Sequence, residues 1–418
     1  MNDNIFIDES FFLGTKKENE NDYITALRGS FSEKQIGAIA NYVEPVSSLS
    51  SIDTVVELFK NNSELNAVPV EEYDRVVGVI DRKTAAEATN TAWKRFTAKN
   101  AIDYTTRVST ILYAQDFIET SLQKVSEINR ETNIIYFPVF NNRSFYGIVS
   151  LDSFLTRIAK IREQDLEKAS IIQQGFLPNE AVVRQLPYKF YAWNKMANAL
   201  GGDIYQIYKL SDTESLVCCF DISGKNVAAS LLTIAVNSFF KTLEIYPPAE
   251  NNHLKIIANL DTYLQKVIPL GNFITAAICY IDTAKGTCSI FNCGHTVIYC
   301  LYKEIQTAPN GKIAVIEPGL PPLGLGDIQS AFAAHEKKPY VFIPLHKNMH
   351  INLYTDGFSD MQNDDGIRFN DAHVKEFFIK LYNEKDDDVC STIKETVTSW
   401  IQNAMIPDDI TVIDIRFP

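Results

Sequence analysis

The chain has 418 residues, of which 46% are hydrophobic and 22% are charged, and this composition excludes a mostly disordered or fibrous protein. A length of that order corresponds to two or three domains. The 39 basic and 52 acidic residues give a net charge of −13, so we expect no non-specific binding to nucleic acid or to an anionic membrane. The sequence has no evident signal peptide, no long uninterrupted apolar run and no CxxC pair among its seven cysteines, which predicts a cytoplasmic protein with reduced thiols.

A polar lead-in, residues 1–35, precedes two similar units of the chain. In each unit a helical pattern is followed by two strand-like runs joined by a turn, NAVPV and VVGVI in the first unit and IIYFPVF and FYGIV in the second. The second run of each unit contains a glycine, Gly78 or Gly147. A repeat of about 70 residues is too long for a solenoid and predicts a pair of small β-α-β-β-α units.

This order resembles a tandem CBS module, which we place at residues 36–151. The resemblance implies an adenine nucleotide ligand, held by a segment that begins with glycine and continues with Ser/Thr and, three residues later, Asp. The candidate ligand residues here are Ser150 and Asp152. The segment departs from the family pattern because Ser153 takes the place of the acid and Asp152 comes one residue early. A module that dimerises or senses a protein partner stays an open alternative.

Residues 152–174 are predicted to form a helix that links this module to the rest of the chain. Apolar residues at its start follow the three- and four-residue spacing of a coiled-coil seam, which predicts a homodimer. The seam consists of Leu151, Phe154, Ile158 and Ile161. The spacing is lost after Ile161, so the alternative is a helix that turns its apolar face onto its own domains.

The remaining residues, 175–418, contain many strand-like runs and a few grouped helices, which predicts an α+β layered domain. Acidic residues stand beside four of these runs, next to a glycine or a turn: Asp203, Asp221, Asp356, and the pair Asp408 and Asp409. One Asp-Gly is usually only a turn, but carboxylates gathered at one sheet edge would repel each other unless a cation joined them. Mg²⁺ and Mn²⁺ prefer such oxygen ligands, whereas the chain has no HExxH motif and no Walker-type phosphate loop.

At these residues the chain resembles the metal-dependent protein serine/threonine phosphatases (the PPM family), in their bacterial SpoIIE-like branch. Eight short segments occur in the family's order: QQGFLP, GGDIYQ, DISGKNVAA, FITAAICYID, NCGH, LPPLGL, YTDGFSD and DDITV. The resemblance implies a β-sandwich flanked by helices, with two Mn²⁺ or Mg²⁺ ions at one edge. It also implies that a metal-activated water, and no protein nucleophile, attacks the phosphoester.

The resemblance assigns roles to individual positions. The implied metal ligands are Asp203, Asp221, which would bridge the ions, the carbonyl of Ile222, Asp356, and Asp408, with Asp409 as the alternative to Asp408. Lys225 is a candidate for binding the substrate phosphate, the alternative being a solvated surface lysine. Gln206 stands where a second acid is usual, and Asn226 stands where a glycine is usual. His295 is interpreted as a structural histidine in preference to a general acid.

These observations predict a cytoplasmic phosphatase that hydrolyses phosphoserine or phosphothreonine on a regulatory protein, under control of the CBS module. By resemblance, that protein is a phosphorylated anti-sigma-factor antagonist. The alternative is a non-catalytic CBS ligand sensor whose phosphatase-like domain only binds a partner. The preserved metal carboxylates favour the enzyme.

Overall fold

The computed structural model describes residues 31–90, 99–108, 110–224, 227–248, 252–269, 271–302, 312–326, 328–334 and 338–418. The chain divides into two compact units, Met1–Asp165 and Leu166–Pro418. Most of the predicted lead-in, residues 1–35, lies outside the described residues.

The first half of the N-terminal unit has the predicted β-α-β-β-α order. Its elements are β1 (Val46–Ser47), α1 (Ile52–Asn61), β2 (Ala67–Glu72), β3 (Arg75–Asp81) and α2 (Arg82–Asn90), and β4 (Thr106–Arg107) completes a sheet in the order β1-β2-β3-β4. Helix α1 begins after Ser51, whose hydroxyl accepts the backbone N–H of Thr54 at 3.2 Å. Val55 and Phe59 of this helix are buried in a small core against the strands.

The second half repeats the same order. Its elements are β5 (Leu112–Tyr113), α3 (Ile118–Thr132), β6 (Tyr136–Asn141), β7 (Ser144–Ser150) and α4 (Leu151–Gln174), with the strand order β5-β6-β7. Val70 lies opposite Gly78, and Val139 lies opposite Gly147, so the pairing recurs after 69 residues (147 minus 78). A Cβ at Gly147 would lie 2.6 Å from the carbonyl oxygen of Asn41, which explains why this strand carries a glycine. The predicted repeat is confirmed.

Helix α4 begins one residue before the predicted boundary and ends at the predicted one. Phe154 and Ile158, two residues of the predicted seam, are buried in the core of the N-terminal unit. Their apolar surface is thus already covered within the chain. The apolar residues near the end of the helix, Ile171 and Ile172, are 70% and 59% exposed.

The C-terminal unit is a sandwich of two five-stranded sheets, as predicted. One sheet has the order β15-β12-β11-β10-β9 and the other has the order β14-β13-β16-β17-β8. The strands are β8 (Lys189–Lys195), β9 (Asp203–Lys209), β10 (Glu214–Ile222), β11 (Ile274–Asp282), β12 (Thr287–Cys293), β13 (Ile298–Tyr302), β14 (Lys312–Ile316), β15 (Val341–Pro344), β16 (His350–Tyr354) and β17 (Ile410–Arg416). The helices are α5 (Glu180–Arg184), α6 (Val227–Ile245), α7 (His253–Val267), α8 (Ile328–Ala334), α9 (Asp356–Asp360), α10 (Asn370–Tyr382) and α11 (Val389–Ile401).

Three cores hold the layers of this unit together. Between the sheets, Val217 and Cys219 pack with Ile351 and Ile413. Helices α6 and α7 share a core with the outer face of the first sheet, and α10 and α11 share one with the outer face of the second. Strand residues alternate between the two sides, because successive side chains of a strand point to opposite faces. The strand ends at one edge of the sandwich therefore stay available for polar side chains.

One helix, α6, is long and apolar enough to cross a membrane by length and composition, although the sequence predicted no membrane span. Several of its side chains, among them Val236 and Phe240, are buried against the sheet. Core helices of soluble proteins have the same composition, so this helix carries no further conclusion.

Candidate metal centre

Two of the predicted ligands meet at one edge of the sandwich. Asp203 is the first residue of β9 and Asp221 is the second-last residue of β10. The antiparallel register places these two residues opposite each other. Asp203 is buried and Asp221 is half-buried. Burial, followed by the negative charge of Asp221, raises the pKa of the Asp203 carboxyl. A bound cation would remove this repulsion.

The buried carboxylate of Asp203 is held by the opposite sheet. Its Oδ2 atom accepts hydrogen bonds from Thr355 Oγ1 and from Thr411 Oγ1, each at 2.7 Å. Thr411 lies in β17 and Thr355 directly follows β16, and their own backbones are joined by a 3.0 Å hydrogen bond. The two threonines therefore fix the orientation of the carboxylate and link the two sheets at the site.

The next two predicted ligands flank these threonines. Asp356 follows Thr355 and is exposed at the start of α9, whereas Asp408 is half-buried just before β17. A Cβ at Gly357 would clash with the carbonyl of Asp409, so the turn after β16 packs closely on the residues before β17. The chain thus brings Asp356 and Asp408 to the same edge as Asp203.

Asp409 has a different environment from Asp408. It is buried, its Oδ1 atom accepts the backbone N–H of Ala197 at 2.7 Å, and its Oδ2 atom accepts the backbone N–H of Gly202 at 2.6 Å. A Cβ at Gly201 would lie 2.5 Å from Oδ2, which explains the glycine at this position. Both oxygens of Asp409 therefore hold the loop that leads to Asp203.

The carbonyl of Ile222 also lies at this edge. A Cβ at Gly202 would approach this oxygen to 2.8 Å, so only glycine allows the backbones before Asp203 and after Asp221 to come this close. No group of three or more His, Cys, Asp or Glu side chains that could hold a metal ion occurs in the described part of the chain. The predicted ligands share one edge, but they do not converge on a single point.

Sequence reasoning missed three contributors to this site. Thr355 and Thr411 belong to the YTDG and DDITV segments, but their bonds to Asp203 depend on the pairing of distant strands. Gln173 is buried at the end of α4, where its side-chain Nε2 donates to the carbonyl of Gly201 at 2.7 Å and its Oε1 accepts the N–H of Gly201 at 3.2 Å. The only signal for this contact was the QQGFLP segment.

Two other predicted residues have different outcomes. Lys225, the candidate phosphate ligand, lies outside the described residues, as does Asn226. His295 is buried, and burial lowers its pKa to about 4, so the imidazole is neutral near pH 7. Its Nδ1 atom lies 2.8 Å from the Thr275 hydroxyl, and this environment favours the structural interpretation.

The predicted CBS ligand residues line a cavity of about 590 Å³ in the N-terminal unit. Ser150 Oγ accepts the backbone N–H of Ser153 at 3.0 Å, and Asp81, 69 residues earlier (150 minus 81), accepts the N–H of Thr84 at 2.8 Å. Both side chains therefore act as helix N-caps. The lining described for this cavity includes Asp152 and another acid, Glu64, and contains no lysine or arginine.

Comparisons with known proteins agree with this architecture. The family model described as "Stage II sporulation protein E (SpoIIE)" matches residues 211–418, and the CBS domain model matches residues 41–89. Among solved structures, the SiaA-PP2C domain of Pseudomonas aeruginosa is similar with 18% identity and a TM-score of 0.52, covering 62% of this chain and 99% of that chain. At this identity the match establishes the fold.

Two further structures are similar over 55% of this chain. The RsbU and RsbW domains of Rv1364c from Mycobacterium tuberculosis have 19% identity and a TM-score of 0.43 over 59% of that chain. The PP2C phosphatase domain of SpoIIE from Bacillus subtilis, with a fragment of its regulatory domain, has 17% identity and a TM-score of 0.42 over 63% of that chain. A comparison with curated protein sequences finds no match. The chain belongs to the SpoIIE-type protein serine/threonine phosphatases and carries a CBS domain on the N-terminal side of its PP2C-like domain.

Proposed function

We propose that this phosphatase is a two-metal enzyme that hydrolyses phosphoserine or phosphothreonine on a regulatory protein in the cytoplasm. The observation that carries the proposal is the buried carboxylate of Asp203, which faces Asp221 at the edge of the sandwich and is held by two threonine hydroxyls. Two carboxylates opposite each other, one of them buried, repel each other unless a cation or a proton joins them, so this arrangement fits a cation site.

The donors at this edge fit Mn²⁺ or Mg²⁺, because they are hard oxygen atoms. The residues that would hold two ions are Asp203, Asp221, the carbonyl of Ile222, Asp356 and Asp408. Asp409 is the weaker candidate, since both of its oxygens already accept backbone N–H groups. When bound, the ions would supply activation of a water molecule and neutralisation of the phosphoryl charge.

The protein itself supports this chemistry by orientation and not by a nucleophile. Thr355 and Thr411 hold Asp203, and Asp409 holds the backbone that leads to it. The two thiols nearest the site in sequence, Cys218 and Cys219, are buried, and burial raises the pKa of both well above the usual range. Neither thiol is therefore available as a nucleophile.

The test is the release of phosphate from a phosphoserine peptide by the full chain, with Mn²⁺ and with excess chelator. We expect activity only with the metal, and its loss in Asp221→Asn. The matched control is Asp212→Asn, which removes the same charge from an exposed residue near the start of the same strand. Activity in excess chelator would overturn the two-metal proposal.

The alternative is a CBS sensor whose phosphatase-like domain only binds a partner. It is favoured by one observation, the absence of a converged group of three ligands within the described residues. The same assay decides between the two functions, because a partner-binding domain would release no phosphate at any metal concentration. In that case binding of a phosphorylated partner would remain to be measured.

The substrate and the regulation are proposed from the family. The SpoIIE-type domain suggests a phosphorylated anti-sigma-factor antagonist as substrate, and the CBS domain suggests control by a ligand. For the cavity lined by Ser150 and Asp152, the two lining acids disfavour the phosphate groups of an adenine nucleotide. We expect weak binding of AMP, ADP and ATP, which calorimetry measures directly.

A homodimer also remains a proposal, with a changed contact surface. Phe154 and Ile158 are buried within the N-terminal unit, so they are not available for a second helix. The exposed Ile171 and Ile172 near the end of α4 are better candidates. Sedimentation of wild type and of Ile171→Glu at micromolar concentration tests this surface.

A further inference from the structure

The side chain of Gln206, where related phosphatases usually carry an acid, has two hydrogen bonds inside the C-terminal unit. Its Nε2 atom donates to the backbone carbonyl of Phe176 at 2.8 Å and to Oδ1 of Asn237 at 2.9 Å. Gln206 and Asn237 are both buried. A primary amide has two N–H groups, so this pair of contacts uses both of them.

The orientation of the amide is fixed by the carbonyl of Phe176, which can only accept. Nε2 must therefore face Phe176, and the other N–H must find an acceptor. Asn237 supplies its oxygen, and in doing so leaves its own buried Nδ2 without a hydrogen-bond partner. Unpaired buried donors are uncommon in proteins, so the contact that leaves Nδ2 of Asn237 unpaired calls for an explanation.

We propose that Gln206 is a positioning residue for the metal centre, because it holds residues 173–177 on the C-terminal unit. The activity part of this inference rests on the proposed metal-dependent reaction. Gln206 does not touch the reacting atoms, and it acts through residues 173–177, which form the end of α4 and the turn after it.

Residues 173–177 connect the Gln206 contact to the loop that precedes Asp203. The N–H of Phe176 donates to the carbonyl of Gln173 at 3.1 Å, so the two residues belong to one tight turn. The Gln173 side chain bonds both backbone groups of Gly201 and also donates to the Thr233 hydroxyl at 3.0 Å. Gly201 lies two residues before Asp203. Loosening of Phe176 would therefore loosen the backbone that presents the buried ligand.

An acid at position 206 could not make the same contact. An ionised carboxylate has no N–H or O–H to donate, and its oxygens would face the carbonyl oxygen of Phe176 at hydrogen-bond distance. Glutamine thus gives this chain a neutral and pH-independent attachment of residues 173–177. The departure from the family pattern at Gln206 has a physical consequence and is not a neutral change.

The experiment uses the full chain with Gln206→Met, which removes both donors at similar size and without charge. The control is Gln185→Met, which makes the same change at an exposed glutamine just after α5. Hydrogen exchange measures the amides of residues 173–177, and phosphate release from a phosphoserine peptide measures the Mn²⁺ concentration for half-maximal activity.

We expect faster exchange of these amides by about tenfold or more in Gln206→Met. We also expect a Mn²⁺ requirement raised by about tenfold, with kcat at saturating Mn²⁺ close to wild type. Exchange and Mn²⁺ requirement equal to those of Gln185→Met would overturn the inference, as would a lower kcat with an unchanged Mn²⁺ requirement.

The hydrogen-exchange measurement is informative even if the variant does not fold or the enzyme is inactive. If Gln206→Met does not fold, the wild-type chain alone is informative: unprotected amides at residues 176 and 177 would contradict the attachment, and protected amides would support it. A wild-type chain without metal-dependent phosphatase activity would count against the proposed function, while the exchange data would still decide on the attachment.

Discussion

The residues of the two family motifs have different structural environments in the two units of this chain. In the N-terminal unit, Ser150 of the nucleotide motif and Asp81, its counterpart 69 residues earlier, accept backbone N–H groups at the start of helices. At the edge of the sandwich, Asp203 is buried opposite a second carboxylate, and its partners are side-chain hydroxyls from the other sheet. The first arrangement is stable without a ligand, whereas the second carries a repulsion that a cation would relieve. A motif indicates function best where its residues form an arrangement that a ligand would stabilise.

The largest expected effect comes from disrupting the carboxylate pair at the edge of the sandwich. Asp221→Asn removes one carboxylate of the facing pair, and we expect kcat for a phosphoserine peptide to fall by about a thousandfold at saturating Mn²⁺. Asp212→Asn should keep wild-type activity because this residue is exposed and precedes β10, at the opposite end of the strand from Asp221. A rate for Asp221→Asn within about tenfold of wild type would remove this residue from the site.

A purely structural polar cluster at the other end of β17 provides a contrast. Asp414 is fully buried, and Arg416 bonds it at 2.8 Å as well as the carbonyl of Leu381 at the end of α10. Arg416→Met leaves this carboxylate without its cation, and we expect a loss of about 3–5 kcal/mol in the free energy of unfolding. Urea denaturation measures this loss.

The double variant Arg416→Met with Asp414→Asn removes both charges of the buried pair and leaves Asp386, the other acidic partner of Arg416, paired with Lys189. We expect it to recover much of the lost stability, because no uncompensated buried charge remains. Equal stability of the single and double variants would show that the charge is not the cause. Phosphatase activity should change little in the double variant, since Asp414 and Arg416 lie three and five residues along β17 from Thr411, which holds Asp203.

Several features of both regions could be predicted from the sequence because they depend on local patterns. The repeat follows from matched strands and Gly78 and Gly147, and helix α4 ends where Gly175 follows it. The motif acids were recognised because each stands beside an apolar run. The bonds from Thr355 and Thr411 to Asp203 could not be predicted, since they need the register between strands of two sheets.

Two assignments illustrate the same limit. The spacing of Phe154 and Ile158 fits a helix seam, but it fits burial in the protein's own core equally well, and only the packing distinguishes the two. Asp408 and Asp409 are equivalent in sequence, yet Asp409 is bonded through both oxygens to the loop at residues 197–202, whereas Oδ1 of Asp408 accepts the backbone N–H of Asp409. Neighbouring residues of a chain can therefore face different partners.

A smaller effect is expected for stability without metal. Burial and Asp221 raise the pKa of Asp203, so the folded state binds this proton more tightly than the unfolded state. The stability of the metal-free protein should therefore fall as pH rises from the usual carboxyl range through the raised pKa. Asp203→Asn should reduce this slope, which thermal unfolding in chelator between pH 4 and pH 8 would measure. An identical pH slope in wild type and variant would contradict the assigned environment.

The smallest expected effect concerns the N-terminal cavity. Two acids line it, Glu64 and Asp152, so replacing both by amides should tighten ATP binding by about tenfold through loss of repulsion. The matched control is Glu57→Gln with Asp53→Asn on α1, whose exposed acids do not line the cavity. Calorimetry that finds submicromolar ATP binding in wild type would show that the acids do not disfavour the nucleotide.

Calorimetric titration of Mn²⁺ into the full chain at pH 7 tests most directly whether Asp203 and Asp221 hold catalytic cations. We expect two bound ions in wild type and the loss of at least one in Asp221→Asn, with no change in Asp212→Asn. Absence of Mn²⁺ binding in wild type, or the same binding in Asp221→Asn, would contradict this assignment.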